Sequence, residues 1–158
     1  MLEPDLRKPT EIKKEMWVHA YKGNIPIANT TVDLSRIGKW LIFVSTEFLD
    51  DAWEKVRQAT VEGLLGTSAK SATMMTNAYA LAESFKVICV YTDNYENDPD
   101  VRRVLVQLRQ LGFRQRLNYK TDKATYNGEM AKNKKGPTSY WTSPQDTTEM
   151  RRPKGWEK

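Results

Sequence analysis

With 158 residues, one cysteine and one histidine, the chain is long enough to bury a core but cannot build a disulfide framework or a Cys/His metal site. Its 25 lysines and arginines against 20 acidic residues give a net charge of +5, and residues 123–158 hold 8 of those cations and 4 of the acids. The excess charge therefore sits mostly in the C-terminal stretch, which reads as a solvated tail rather than a nucleic-acid arm.

The opening, MLEPDLRKPTEIKKEM, lacks the apolar run of a secretory leader, and no segment is apolar over a membrane-spanning length. The expectation is a soluble, cytoplasmic protein with no membrane partner. Residues 1–16 read as a polar N-terminal segment. MWVHAYKGN predicts a short strand ending at Gly23-Asn24, followed by a loop over 24–37. GKWLIFVST, continuous, aromatic and β-branched, predicts a buried strand. In FLDDAWEKVRQATVEGLLG, Trp53, Val56, Ala59 and Thr60 recur at helical spacing, with Asp50 or Asp51 as cap and Gly63 as exit. TSAKSATMM reads as a strand and 76–84 as a loop or short helical turn. FKVICVYTD is apolar on both faces, as a central strand requires. NDPDVRRVLVQLRQLGF predicts a second helix, capped by Asp98, with Pro99 in its first turn and Gly112 at its end. RQRLNYKTD reads as a further strand. ATYNGEMAKNKKGPTSYWTSP has mixed loop and short-strand character, and 144–158 reads as a disordered basic tail. The fold class is α+β: one domain over 17–143, a mainly antiparallel sheet with helices on one face.

Side chains alternate across a strand. Lys70 shares a side with Ser68, Ala72 and Met74; Arg116 shares one with Arg114, Asn118 and Lys120; Lys39 shares one with Leu41, Phe43 and Ser45. If the helices cover one face, the other gathers Lys70, Arg116, Lys120 and Lys39. Arginine grips phosphate oxygens bidentately and lysine adds a point charge. A water-facing sheet surface explains the same pattern without a ligand. Trp17, Trp40, Tyr91 and Tyr119 could stack on bases, although aromatics spaced singly in strands usually belong to the core. His19 in a strand and Cys89 in an apolar run read as structural, and Asp50-Asp51 as a helix cap. The sequence holds no P-loop, G-x-G-x-x-G or Ser/His/Asp arrangement, and implies no metal and no cofactor.

The blocks GKWLIFVS, DDAWEKVRQATVEGLLGTSAKSAT, FKVICVYTDN, DVRRVLVQLRQLGF and LNYKTDKATYNG, in that order, resemble the family typified by the basophilic leukaemia-expressed protein. That resemblance implies the fold of the cap-binding translation initiation factor 4E, a curved antiparallel sheet with helices on its convex face. Such factors hold a methylated guanine between two tryptophans, fix it with a carboxylate, and grip its phosphates with Arg and Lys. Lys70 falls near such a phosphate contact, while the Trp-Glu pair that reads the base has no match before Gly38. The implied function is binding of a phosphorylated ligand, nucleotide or RNA end, on the concave face. Lys70, Arg116, Lys120 and Lys39 would hold the phosphate, and Trp40 or Tyr91 would stack. The order of elements is also similar to phosphothreonine lyases, which would make Lys70 the base that eliminates phosphate from a phosphopeptide. The histidine acid of those enzymes has no counterpart within 39–45, and His19 replaces it only if the first strand lies beside that one. A protein-interaction module with a protein partner is the third reading, marked by an apolar patch on the exposed side of 50–62.

Overall fold

The structure is a computed structural model that describes residues 2–76, 84–123 and 139–153. Among the described residues, six strands and two α-helices follow in the order β1 (Trp17–Tyr21), β2 (Gly38–Ser45), α1 (Leu49–Val61), β3 (Ser68–Ala72), β4 (Phe85–Thr92), α2 (Asp98–Gln110), β5 (Leu117–Thr121) and β6 (Trp141–Ser143). The strands form one sheet ordered β1-β3-β4-β2-β5-β6, and the pairs β1/β3, β3/β4, β2/β5 and β5/β6 are antiparallel. The fold is the α+β class expected. Among the described residues, no helix is long and apolar enough to cross a membrane. Within the span read as one domain, the chain forms two compact units: Met1–Thr31 with Ile42–Val90, and Val32–Leu41 with Tyr91–Lys158.

In the first unit, α1 packs on β1 and β3. Its Leu49, Trp53, Val56 and Ala59 are buried, as helical spacing dictates, together with Val18, Ala20, Ala69, Ile88 and Val90 of the strands. Asp50, read as a helix cap, is used otherwise: it accepts from the Thr10 backbone N–H (3.1 Å) and hydroxyl (2.6 Å), and the N-cap, Phe48, has no side-chain cap bond. Residues 1–16 are accordingly more than a polar leader to the domain. Ile12 is buried, its carbonyl accepts from Met74 N–H, and Leu2 N–H donates to the Asn24 carbonyl. Gly63 leaves α1 at φ +84°, a conformation that favours glycine.

In the second unit, α2 buries Val101, Val104, Leu105 and Leu108, and Trp40 donates its indole N–H to the Val101 carbonyl (3.1 Å). Asn97, not Asp98, caps α2 by accepting from Asp100 N–H, so the cap lies one residue earlier than expected. Strand β5 begins at Leu117 rather than Arg114, because the Arg114 and Gln115 carbonyls accept from Asp146 N–H and from Arg109 instead. The tail expected to be disordered is pinned over its described part: Arg109 donates to the Pro144 and Thr147 carbonyls, and Arg151 bridges Thr142. Residues 154–158, most of the expected loop at 76–84, and 124–138 lie outside the described residues.

Candidate functional site

The β1–β3 ladder sets Trp17 opposite Ala72, His19 opposite Lys70, and Tyr21 opposite Ser68. Directly opposed residues of an antiparallel pair point to the same face. The alternate set, Val18, Ala20, Ala69 and Ser71, is buried beneath α1, so Trp17, His19, Tyr21 and Lys70 occupy the helix-free face. There the Lys70 ammonium lies 3.9 Å from the centroid of the Trp17 ring, a cation–π contact between diagonal neighbours. The His19 and Tyr21 rings run parallel with centroids 6.0 Å apart. Cys89, directly opposite Lys70 on β4, shares the Lys70 face and is nonetheless buried, so that face is closed to solvent at this point of β4.

His19 reaches the surface, yet Trp17, Tyr21 and the N-terminal residues Leu2 and Asp5 share one cavity of about 260 Å³ with it. Partial loss of water, and then the nearby Lys70 charge, push the imidazole below its ordinary value of 6.5, with Asp5 and Glu15 opposing in part. The folded chain therefore resists protonating His19. Stability at this site is present above the unfolded value and falls as pH drops below about 6.5. Urea unfolding at pH 7.5 and pH 5 should show that loss, and His19→Gln should reduce it; an identical pH slope in the variant would contradict the assignment. The charged wall of the same cavity is self-neutralised, since Arg7 donates to Asp5 (2.7 Å) and pairs with Glu15. Those bonds hold both carboxyls below their usual range.

The second unit carries the other cations singled out by strand alternation. Lys39 stands directly opposite Lys120, and Leu41 opposite Asn118, on the face away from Trp40 and Tyr119. Two lysines in register repel, and Asp122 relieves them: the Lys39 ammonium donates to its Oδ1 at 2.6 Å and lies 5.7 Å above the Tyr91 ring. Lys39 is 7% exposed, so its charge is committed to this inner pair. Arg116 is exposed and donates through Nε to the Thr142 hydroxyl at 3.1 Å; Lys120 is half-buried. Trp40 cannot act as a stacking surface. It is 0% exposed, packed edge-on against Tyr119 with ring centroids 5.2 Å apart. The expected cluster thus falls into two groups, Lys70 with Trp17 and His19 in the first unit, and Lys39, Tyr91, Arg116 and Lys120 in the second.

Two features escaped the sequence. Nothing in a one-dimensional pattern sets Trp17 under Lys70, because that contact depends on the β1–β3 register. Asp122 sits one residue beyond β5 and is identified only by its partner. The outward residues of α1, namely Asp51, Glu54, Lys55 and Gln58, are polar or charged, so the apolar patch that would mark a protein-binding helix is absent there.

Residues 26–128 match the sequence profile of the family described as Basophilic leukemia-expressed protein Bles03. Among solved structures, the chain is similar to a schistosome eIF4E complexed with m7GpppA and 4E-BP, with a TM-score of 0.60 and 11% identity over 87% of this chain and 75% of that one. It is also similar to C. elegans eIF4E-3 in complex with the 4E-binding protein Mextli and cap analog, with a TM-score of 0.51 and 20% identity over 70% of this chain. That match spans 65% of the C. elegans chain, less than two thirds of its length. At these identities the likeness is one of fold.

Proposed function

We propose that this chain, which belongs to the basophilic leukemia-expressed protein Bles03 family, binds a phosphorylated nucleotide or RNA end on the helix-free face of its sheet. The observation that carries this reading is Lys70: an ammonium held 3.9 Å over the Trp17 ring, directly opposite a histidine, on the face of β1 and β3 away from α1. Trp17 fixes the lysine stem and orients the charge before a ligand arrives, which lowers the ordering cost of binding a phosphate. The parallel His19 and Tyr21 rings beside it offer a base a flat surface. Arg116 and Lys120 of the second unit are a separate candidate phosphate site of that unit. The eIF4E fold supports the reading, because the similar structures are complexes with cap or cap analog.

Calorimetric titration with guanosine and adenosine diphosphates and with 7-methylguanosine diphosphate tests it. Lys70→Ala should weaken binding by roughly 10- to 100-fold, the worth of a hydrogen bond to a charged group, and should change unfolding stability by no more than about 1 kcal/mol. Equal affinities in both proteins would remove Lys70 from the site. Arg116→Ala and Lys120→Ala, measured in the same way, report on the second unit separately.

A second reading is favoured by one observation. The first strand lies beside β3 and not beside β2, so the condition under which His19 would replace the histidine missing from 39–45 is not met; His19 stands opposite Lys70 instead. An amine and an imidazole so paired suit phosphate elimination: the neutral amine takes the α-proton, the C–O bond to phosphate breaks as the double bond forms, and the imidazolium protonates the departing phosphate. His19 is held toward its neutral form and lacks that proton near pH 7, which sets binding ahead. A phosphothreonine peptide separates the two readings. A product short of both phosphate and water by mass spectrometry supports elimination, and unchanged peptide excludes it for that substrate.

A further inference from the structure

We propose that the outer edge of β6, with Tyr140 and Trp141, is a docking site for an extended arginine-bearing peptide, and that residues 150–152 of this chain occupy it in cis. The Arg152 guanidinium lies 4.1 Å from the centroid of the Tyr140 ring and 4.1 Å from that of Trp141. The two rings meet at 89° with centroids 5.8 Å apart, so they form an aromatic corner with the cation inside it. The same guanidinium donates through Nη1 to the Tyr140 carbonyl at 2.8 Å. Beside it, Thr142 and Arg151 exchange both backbone hydrogen bonds at 2.8 Å, one rung of an antiparallel ladder on the edge of β6. A strand rung plus a side-chain pocket one residue further on is the geometry of peptide recognition by strand addition.

The corner is built independently of its occupant. Tyr140 packs edge-on against Tyr95 at 5.3 Å, and its N–H donates to the Tyr119 carbonyl at 2.7 Å. The buried Trp141 indole N–H has no hydrogen-bond partner among the described residues, so the site holds a donor that a ligand carbonyl would satisfy. The covering segment is rooted at its base by α2. Arg109 and Arg102 donate to the Thr147 and Thr148 carbonyls at its base. The contacts of residues 150–152 include one rung, the cation–π contacts, the Arg152 bond to the Tyr140 carbonyl and an exposed Arg151–Glu149 pair. Exposed cation–π contacts and surface ion pairs are each worth about 1 kcal/mol or less. A tethered occupant competes with an outside peptide through its effective concentration. Guanidinium chemistry is specified by the occupant: a planar cation that both stacks on rings and donates to a carbonyl, which lysine cannot reproduce.

The probe is the acetylated, amidated peptide Met-Arg-Arg-Pro, a copy of 150–153, titrated into the full chain while the Trp141 indole N–H resonance is followed by NMR. The native chain should bind weakly, and Arg152→Ala should bind at least about tenfold more tightly, because the corner is vacated. Arg152→Gln, which keeps the stem and loses the charge, should behave likewise, and matched melting temperatures establish that the variants are folded. A control peptide with Ala in place of its second Arg should lose that gain. Equal affinity of native and variant chains, or of the two peptides, overturns the proposal. A shift of the indole resonance by a planar cationic nucleoside, with none from the peptide, would also overturn it and assign the corner to a base.

Discussion

Arg109→Ala is expected to destabilise the chain by about 3–5 kcal/mol, more than any other arginine substitution in α2. Each of the five N–H donors of its guanidinium has an acceptor: Nε donates to the Thr147 carbonyl (2.7 Å), Nη1 to those of Phe113 (2.9 Å) and Gln115 (2.6 Å), and Nη2 to the Ser143 hydroxyl (3.1 Å) and the Pro144 carbonyl (2.8 Å). Four of the five acceptors are backbone carbonyls, and those of Thr147 and Pro144 also accept from the Ser143 and Thr147 hydroxyls. A hydrogen bond to a charged group is worth about 1.5–3 kcal/mol and neighbours are not additive, which sets the range. Loss of water pushes the guanidinium below its ordinary value, but it remains charged throughout the accessible pH range. Arg109→Lys should recover only part of the loss, since a compact ammonium has three donors and no fork. Arg103→Ala is the comparison: its pair with Asp100 lies at the surface, and its loss should cost less than about 1 kcal/mol. Urea unfolding of the three variants measures this directly. Similar losses for Arg109→Ala and Arg103→Ala would contradict the role assigned to Arg109 as the anchor of residues 143–147.

Gly38→Ala should be comparably damaging, by about 3–5 kcal/mol, for a steric reason. A Cβ at this position would fall within the phenol of Tyr119, on its Cζ, Oη and Cε1 atoms. Tyr119 cannot yield cheaply. It is fully buried, its hydroxyl is bonded to the Thr92 hydroxyl at 2.5 Å, and its ring packs against Trp40. Burial also pushes the phenol well above its ordinary titration range, so it stays a neutral hydrogen-bonding group. Overpacking costs about 1–3 kcal/mol, and a buried hydroxyl torn from its partner about 1–3 more. The thermal midpoint should fall by roughly 6–20 °C, at about 2–4 °C per kcal/mol for a chain of this size. A shift of only a few degrees would mean that the ring moves aside, and that the strand start at Gly38 tolerates a side chain.

The elements were legible in the sequence where one physical signal ruled. Continuous β-branched and aromatic residues marked β2 and β4, helical spacing marked α1 and α2, and glycine ended both helices. Alternation also sorted the strand faces: Lys70 falls opposite the buried Ala69 and Ser71, and Lys120 alternates with the buried Tyr119 and Thr121. What alternation could not supply was depth and partnership. Lys39 and Trp40 sit on a strand buried along most of both faces, so one became an inner ion pair with Asp122 and the other core. Helix caps failed by small margins, because Asp50 is drawn to Thr10, forty residues away in sequence. Arg109 looks like an ordinary last-turn arginine of a helix; its acceptors come from 113–115 and 143–147, and no local pattern records them. The C-terminal stretch misled for the same reason, since its composition is that of a tail while its carbonyls are held by α2.

The helix-free face of β1 and β3 is the centre of the functional account, and NMR of the full chain tests it most directly. Guanosine diphosphate would be added while the Lys70 ε-methylene and Trp17 indole resonances are followed, assigned through Lys70→Arg and Trp17→Phe. The account predicts saturable shifts at both residues, with a midpoint that Lys70→Ala moves by roughly tenfold or more. Saturable binding that leaves Lys70 and Trp17 unshifted would contradict it.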